Sequence, residues 1–372
     1  MRALLSVVGT RGDVQPLFAL AMALRRRGGE ARLCVPPNFI ESARAMGFDA
    51  RPVGVAMRMP RPGESNAAAA RPPADLVTDQ FESVAAAANE CDLIVGANAH
   101  QYAAPSIAEL NGIPFISAVY APTALPSGEN NKAWNQRALD RVNANRTHLG
   151  LNPISDVLSY VVTPKPWLAA DRVLAPAPAI PGLDITQTGA WFVEDAHPLP
   201  PDVQQFLEAG EAPLYFGFGS MPVTERTIDP LLAAARVLGR RAIVAQGWGS
   251  LSVPGPSPDL LFISEVNHQA LFPRVAAVVH HGGAGTTLTC ARAGTPQVIV
   301  PMFSDQPYWA SRVEELGIGS SVPFAELSAE RLIRALTKAL DPLVARAARD
   351  LSPRIYGGGA GDAAELILAV AR

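Results

Sequence analysis

The chain has 372 residues, room for two ordinary α/β domains rather than one, and its 48% hydrophobic against 17% charged residues excludes general disorder. A net charge of −3, from 31 basic and 34 acidic residues with no basic run, argues against a nucleic-acid partner. Three scattered cysteines, Cys34, Cys91 and Cys290, fit neither a disulfide framework nor a metal site, and the opening MRALLSVVGTRGD has too short an apolar run for a signal peptide or a membrane span, so a cytoplasmic protein with reduced thiols and no stable membrane insertion is expected.

Residues 3–8 form a short apolar run that stops at Gly9, and residues 16–27 repeat apolar side chains at Leu17, Leu20, Ala21 and Leu24, so the pattern predicts a strand, a glycine-containing turn and a helix. Residues 31–35, 93–95 and 115–119 read as further strands, with helices over 38–46 and 105–111. This alternation predicts a parallel sheet with right-handed crossovers. Residues 58–73 and 122–132, rich in turn formers, read as surface loops on the carboxyl side of the sheet and as candidates for acceptor contacts.

Proline-dense segments at 176–181 and 195–201 precede a restart of the same pattern. Strands are predicted over 214–218, 241–244, 261–263, 277–279 and 297–300, with helices over 228–238, 285–293 and 306–316. The expected architecture is therefore α/β, with two Rossmann-like domains, 1–200 and 201–372, whose parallel sheets face a central cleft; the last helix, near 355–372, is expected to pack back on the first domain.

Four constellations carry chemistry. In AVVHHGGAGTTLTCARAG, residues 277–294, a strand runs through His280 and His281 into Gly282, Gly283, Ala284, Gly285 and Thr286 before a helix. Small residues admit a ligand close to the backbone, and the N–H groups of a helix start attract an anion. A diphosphate fits, with His281 and Thr286 as extra donors; the alternative is a tight turn with no ligand. Adjacent histidines on a strand face opposite ways and no HxxxH or carboxylate completes a metal site. Neither GGAGT nor GTRGDV keeps the GxGxxG spacing of a nicotinamide-cofactor fold. In SVVGTRGDVQP, residues 6–16, Asp13 at the end of the first strand is open to two readings, a helix N-cap or a general base. In PMFSDQPYW, residues 301–309, Asp305 and Gln306 suit the vicinal hydroxyls of a sugar or cap the next helix. In YFGFGSM, residues 215–221, Ser220 either meets a phosphate or turns the chain.

In this order the four resemble the GT-B glycosyltransferases of the large inverting family that includes plant secondary-metabolite transferases, sterol glucosyltransferases and vancomycin-group aglycone transferases. GTRGDVQP, PWLAAD at 166–171, QTGAWF at 187–192, FGFGSMP and EVNHQALF at 265–272 look like the vancomycin group, while HHGGAGTT and the Asp305–Gln306 pair are shared with the sterol enzymes. The resemblance spans the whole chain. It implies that Asp13 deprotonates the acceptor, that Ser220, His281, Gly283, Ala284, Gly285 and Thr286 hold the diphosphate, that Asp305 and Gln306 hold the sugar, and that Val266 and Trp248 border the base. Many relatives carry a ribose-binding Glu eight residues after the diphosphate histidine; here that residue is Thr289, which leaves UDP and TDP donors both open. The implied activity is inverting transfer of a hexose, glucose first, from a nucleotide sugar to a hydrophobic natural-product aglycone by a monomer, with neither metal nor other cofactor. A TDP-deoxysugar transferase, a nucleotide-sugar epimerase and a non-catalytic sugar-nucleotide-binding protein are the alternatives.

Overall fold

The computed structural model describes residues 1–56, 73–219, 225–246 and 257–370. The chain forms two compact units, Met1–Val193 with Tyr356–Arg372, and Glu194–Ile355.

Among the described residues the first unit carries a seven-stranded parallel sheet: β1 (Arg2–Val7), β2 (Glu30–Val35), β3 (Asp49–Pro52), β4 (Leu93–Ala97), β5 (Phe115–Val119), β6 (Trp167–Leu168) and β7 (Thr186–Gln187). Their order is β3-β2-β1-β4-β5-β6-β7, with Leu5 paired to Leu33 on one side and Val95 on the other. Strand alternation distributes the apolar side chains to two faces. Leu5 and Val7 pack with Val14, Leu17 and Leu24 of the helix Arg11–Arg26 and with Ala363 and Ile367 of the C-terminal helix Gly359–Val370. Leu4 and Ile94 pack on the opposite face with Phe81, Ile107 and Val142, from the helices Pro73–Ala88, Ala104–Asn111 and Gly128–His148. Burying each such side chain contributes about 1.5–3 kcal/mol, so two covered faces fix the strand register. Asp171, of the PWLAAD segment, is 3% exposed. Its Oδ1 accepts from the Val173 and Leu174 N–H groups at 2.8 and 3.0 Å, and its Oδ2 accepts from the Tyr356 N–H at 2.9 Å, which ties the returning chain to this unit.

The second unit repeats the scheme with β8 (Leu214–Gly217), β9 (Ala242–Ala245), β10 (Leu260–Ile263), β11 (Ala277–His280), β12 (Gln297–Ile299) and β13 (Gly319–Ser321) in the order β10-β9-β8-β11-β12-β13. Phe216, Val279 and Val298 meet Leu231, Leu332 and Leu336 on one face; Tyr215 and Val278 meet Phe206, Leu271, Phe272 and Cys290 on the other. These are two Rossmann-like α/β units with parallel sheets.

Several local expectations are corrected. The first helix begins at Arg11 rather than at Pro16, because Thr10 in an extended conformation opens it. Pro16 therefore lies in the second turn and supplies no N–H to the carbonyl of Gly12. Residues 122–132 are not one loop: a 3₁₀ turn, Pro122–Ala124, is followed by Ser127, whose Oγ accepts from the Asn130 N–H at 3.3 Å and caps the helix Gly128–His148. Of the other expected loop, 58–73, residues 58–72 lie outside the described residues. All three cysteines are buried and unbridged. Among the described residues no helix is long and apolar enough to cross a membrane.

Candidate functional site

Both sheets reverse direction once, between β1 and β4 and between β8 and β11. At such a point neighbouring strands send their connections to opposite faces, and the carboxyl edge is left open to a ligand.

In the first unit this edge holds Asp13. It is the third residue of its helix, and its Oδ2 accepts from the Thr10 N–H at 2.7 Å and lies 3.2 Å from Thr10 Oγ1. The N-cap is thus Thr10, and the reading of Asp13 as N-cap gives way to a third-position carboxylate that reaches back to the cap. Gly9 leaves the space, since a Cβ there would lie 2.2 Å from Asp13 Oδ2. From the neighbouring strand, Asn98 Nδ2 donates to Asp13 Oδ1. One strand further, the Tyr120 hydroxyl donates to the Asp13 carbonyl oxygen at 3.1 Å. Burial, with the Asp13 charge adding to it, holds the Tyr120 hydroxyl well above its usual range, so it stays a donor. Asp13 is half-buried between these groups. Beyond Asn98, the rings of His100 and Tyr102 lie 4.8 and 5.5 Å from that of Trp134.

In the second unit the edge is read from β10 to β12. After β10, half-buried Val266 leads into Asn267, whose Oδ1 caps the short helix His268–Leu271 and whose Nδ2 donates to the carbonyls of Asp195 and His197 at 2.9 and 2.7 Å. Trp248, after β9, and Ser220, after β8, lie outside the described residues. After β11 the two histidines separate. His280 is fully buried; its Nδ1 accepts from the Gly282 N–H at 3.1 Å, so its Nε2 donates to Gln297 Oε1 at 2.9 Å. It braces the turn. The His281 ring is cradled by glycine: a Cβ on Gly283 would lie 2.6 Å from its Nε2, and one on Gly219, just past β8, 3.2 Å from its Cε1. Its Nδ1 is buried and has no hydrogen-bond partner among the described residues.

Gly283 is the N-cap of the helix Ala284–Ala293 and has no side chain to accept from the first-turn N–H groups of Ala284, Gly285 and Thr286. Thr289 is 8% exposed and donates to the Gly285 carbonyl at 2.8 Å, so its hydroxyl is spent inside the helix. After β12, Asp305 opens the helix Gln306–Glu315, yet its carboxylate makes no cap bond and instead accepts from the Trp309 indole N–H at 2.7 Å. Burial pushes this carboxyl upward against that bond. Gln306 is 4% exposed, and its Oε1 accepts from the Met302 and Phe303 N–H groups at 2.8 and 3.2 Å, so the amide braces the loop while the carboxylate stays half-exposed. The two turns touch, since a Cβ on Gly282 would lie 3.3 Å from the Gln306 carbonyl oxygen.

The motifs had not singled out Thr10, Asn98, Tyr120 or Gln297. Thr10 was available from the spacing Thr-x-x-Asp, a capping-box pattern. Asn98 and Tyr120 meet Asp13 from 85 and 107 residues away and leave no local signal.

The family model for the glycosyltransferase family 28 N-terminal domain matches residues 3–127, and that for the erythromycin biosynthesis protein CIII-like C-terminal domain matches residues 251–355. The chain is 39% identical to the vancomycin aglycone glucosyltransferase of Amycolatopsis orientalis, over 99% of this chain and 97% of that one. The chain belongs to the same glycosyltransferase family as that enzyme. It is 40% identical to the dTDP-epi-vancosaminyltransferase of the same organism, over 92% and 90% of the two chains. The crystal structure of the glycosyltransferase of kitacinnamycin, 19% identical, superposes with a TM-score of 0.76 over 99% of this chain and 98% of that one, which places the chain in the GT-B fold.

Both site histidines of this glycosyltransferase are neutral at pH 7, because burial takes His280 down to about 3 and His281 down to about 4. The unfolded chain protonates its histidines near pH 6.5. Their stabilising contribution is therefore complete above about pH 6.5 and is lost as the pH falls toward the folded values. Urea unfolding midpoints should drop between pH 7 and pH 4.5, and drop less in His280→Gln, which has no such proton to take up. Equal slopes for the two proteins would show that His280 is not a source of the acid sensitivity.

Proposed function

We propose that this glycosyltransferase moves a hexose from a nucleoside diphosphate to a hydroxyl of a hydrophobic natural-product aglycone, with inversion and without a metal. The observation that carries the reading is the order of groups along the carboxyl edge of the second sheet. Val266 follows β10, the glycine-cradled His281 and the uncapped helix start follow β11, and Asp305 follows β12. Base, diphosphate and sugar of one nucleotide sugar lie in the same order, and the edge from β10 to β12 spans about 19 Å, a fit in length as well. His281 Nδ1 and the N–H groups of Ala284, Gly285 and Thr286 are directed donors for the diphosphate, with Ser220 added from the motif. Asp305 meets the sugar hydroxyls, with Gln306 holding the loop that presents it.

In the reaction the acceptor hydroxyl loses its proton to Asp13 as its oxygen bonds to the anomeric carbon. The bond from that carbon to the diphosphate breaks, and the electron pair leaves on the diphosphate oxygen, where the helix start stabilises it. A single displacement inverts the carbon. The rings of His100, Tyr102 and Trp134 offer an aromatic surface for an apolar acceptor on the side of Asp13. The similarity to the vancomycin aglycone glucosyltransferase favours a glycopeptide aglycone and glucose; the comparable similarity to the dTDP-epi-vancosaminyltransferase favours a TDP-linked deoxysugar as the second reading.

Three measurements follow. Asp13→Asn keeps the size of the side chain and removes its basicity, so kcat should fall by at least about 100-fold with nucleotide affinity unchanged; near-full turnover at saturating acceptor would overturn the assignment of the base. Activity should persist in EDTA, because helix-start donors already meet the diphosphate charge; complete loss restored by magnesium or manganese would count against the metal-free reading. With a panel of aglycones analysed by mass spectrometry, UDP-glucose should exceed a TDP-deoxyhexose in kcat/KM, since a site that hydrogen-bonds a hydroxyl rejects substrates lacking it. The reverse ratio would establish the second reading.

A further inference from the structure

Asp13 is held at both carboxylate oxygens, and the two grips differ in kind. The Thr10 contacts to Oδ2 belong to the start of its own helix. The contact to Oδ1 comes from Asn98, which follows β4, the strand beside β1 across the reversal point. Asn98 takes a left-handed backbone, φ 62, a conformation that residues other than glycine adopt rarely and that Asn and Asp tolerate best. Its own N–H donates to the Ala118 carbonyl of β5 at 2.8 Å, so the backbone is fixed to one neighbouring strand while the side chain reaches toward the other.

We propose that Asn98 is a positioning residue for Asp13, its amide N–H locking the carboxylate in the rotamer from which it accepts the acceptor's proton. The proposal rests on the reading of Asp13 as the base. A donor on Oδ1 from a separate strand opposes rotation of the carboxylate about its Cβ–Cγ bond. The bond is charge-assisted and therefore directional. An acceptor in place of this donor would repel the carboxylate. If Asn98 served only to turn the chain after β4, glycine and aspartate would both replace it, since each tolerates the left-handed backbone.

The test uses the full-length enzyme with UDP-glucose or a TDP-hexose and the best acceptor of the panel. Asn98→Gly should lower kcat about 10-fold, and Asn98→Asp about 100-fold, with the donor KM unchanged in both. Because Asn98 acts through Asp13, Asn98→Gly should cost nothing further in the Asp13→Asn background, whereas independent losses multiply. Near-normal kcat in both single variants, or multiplying losses in the double variant, overturns the proposal. Normal turnover of Asp13→Asn alone is the separate failure of the base assignment. In that event the crystal structure of Asn98→Gly decides the positioning role without reference to activity: a displaced Asp13 carboxylate upholds it, and an unmoved one overturns it.

Discussion

An all-parallel sheet with helices on both faces has one place where adjacent strand ends are left uncovered, the point where the strand order reverses. In this protein that constraint acts twice, between β1 and β4 and between β8 and β11. Asn98 reaches Asp13 only because their strands are neighbours across the first reversal, and the His281 ring meets the backbone of Gly219 only because β11 pairs with β8 across the second. The cores behind these edges, Leu5, Val7 and Leu17 in one unit and Phe216, Val279 and Leu336 in the other, set the register that brings the pairs together.

The two edges use this shared geometry for opposite chemistry. At the first, Thr10 and Asn98 converge donors on a carboxylate. At the second, the buried His281 ring stands beside the start of the helix Ala284–Ala293, with glycine at the positions where a Cβ would collide with the ring. His280 keeps that turn in shape through Gln297, which also donates to the Thr287 carbonyl at 3.3 Å. In the proposed reaction the first edge accepts a proton and the second receives an anion.

Much of this was legible in the residues, and the rest was lost for identifiable reasons. Strands built on consecutive apolar residues, such as Ala277, Val278 and Val279, and the glycine-rich turn after them announce themselves through composition. The short strands β3, β6, β7 and β13 have two to four residues, some of them polar, and exist because neighbouring strands offer hydrogen bonds. The first helix was placed five residues late because proline favours a first turn, whereas the cap at Thr10 decides the start and tolerates Pro16 in the second turn. Asp305 and Gln306 were read as an equivalent pair, yet Asp305 is half-exposed against Trp309 while Gln306 is buried as a brace; adjacency in sequence carries no information about which of two polar side chains turns inward. Asn98 was beyond reach, because its meaning depends on the neighbourhood of β1 and β4.

The neutrality of the second edge bears on turnover. In the proposed reaction the diphosphate is bound as part of the donor and again as the product, so a buried cation there would hold both strongly, and uniform tightening of ground states does not raise kcat. A neutral His281, held down to about 4 by burial, and helix-start N–H groups would act instead as directed dipoles in that reaction. Their effect depends on where the negative charge lies. As the bond from the anomeric carbon to the diphosphate breaks in that reaction, charge accumulates on the β-phosphate oxygen that leaves the carbon, and preorganised donors aimed at that oxygen would stabilise the transition state more than the donor substrate. On this proposal glycine at 283 is required, since a Cβ there would lie 2.6 Å from His281 Nε2 and displace the ring.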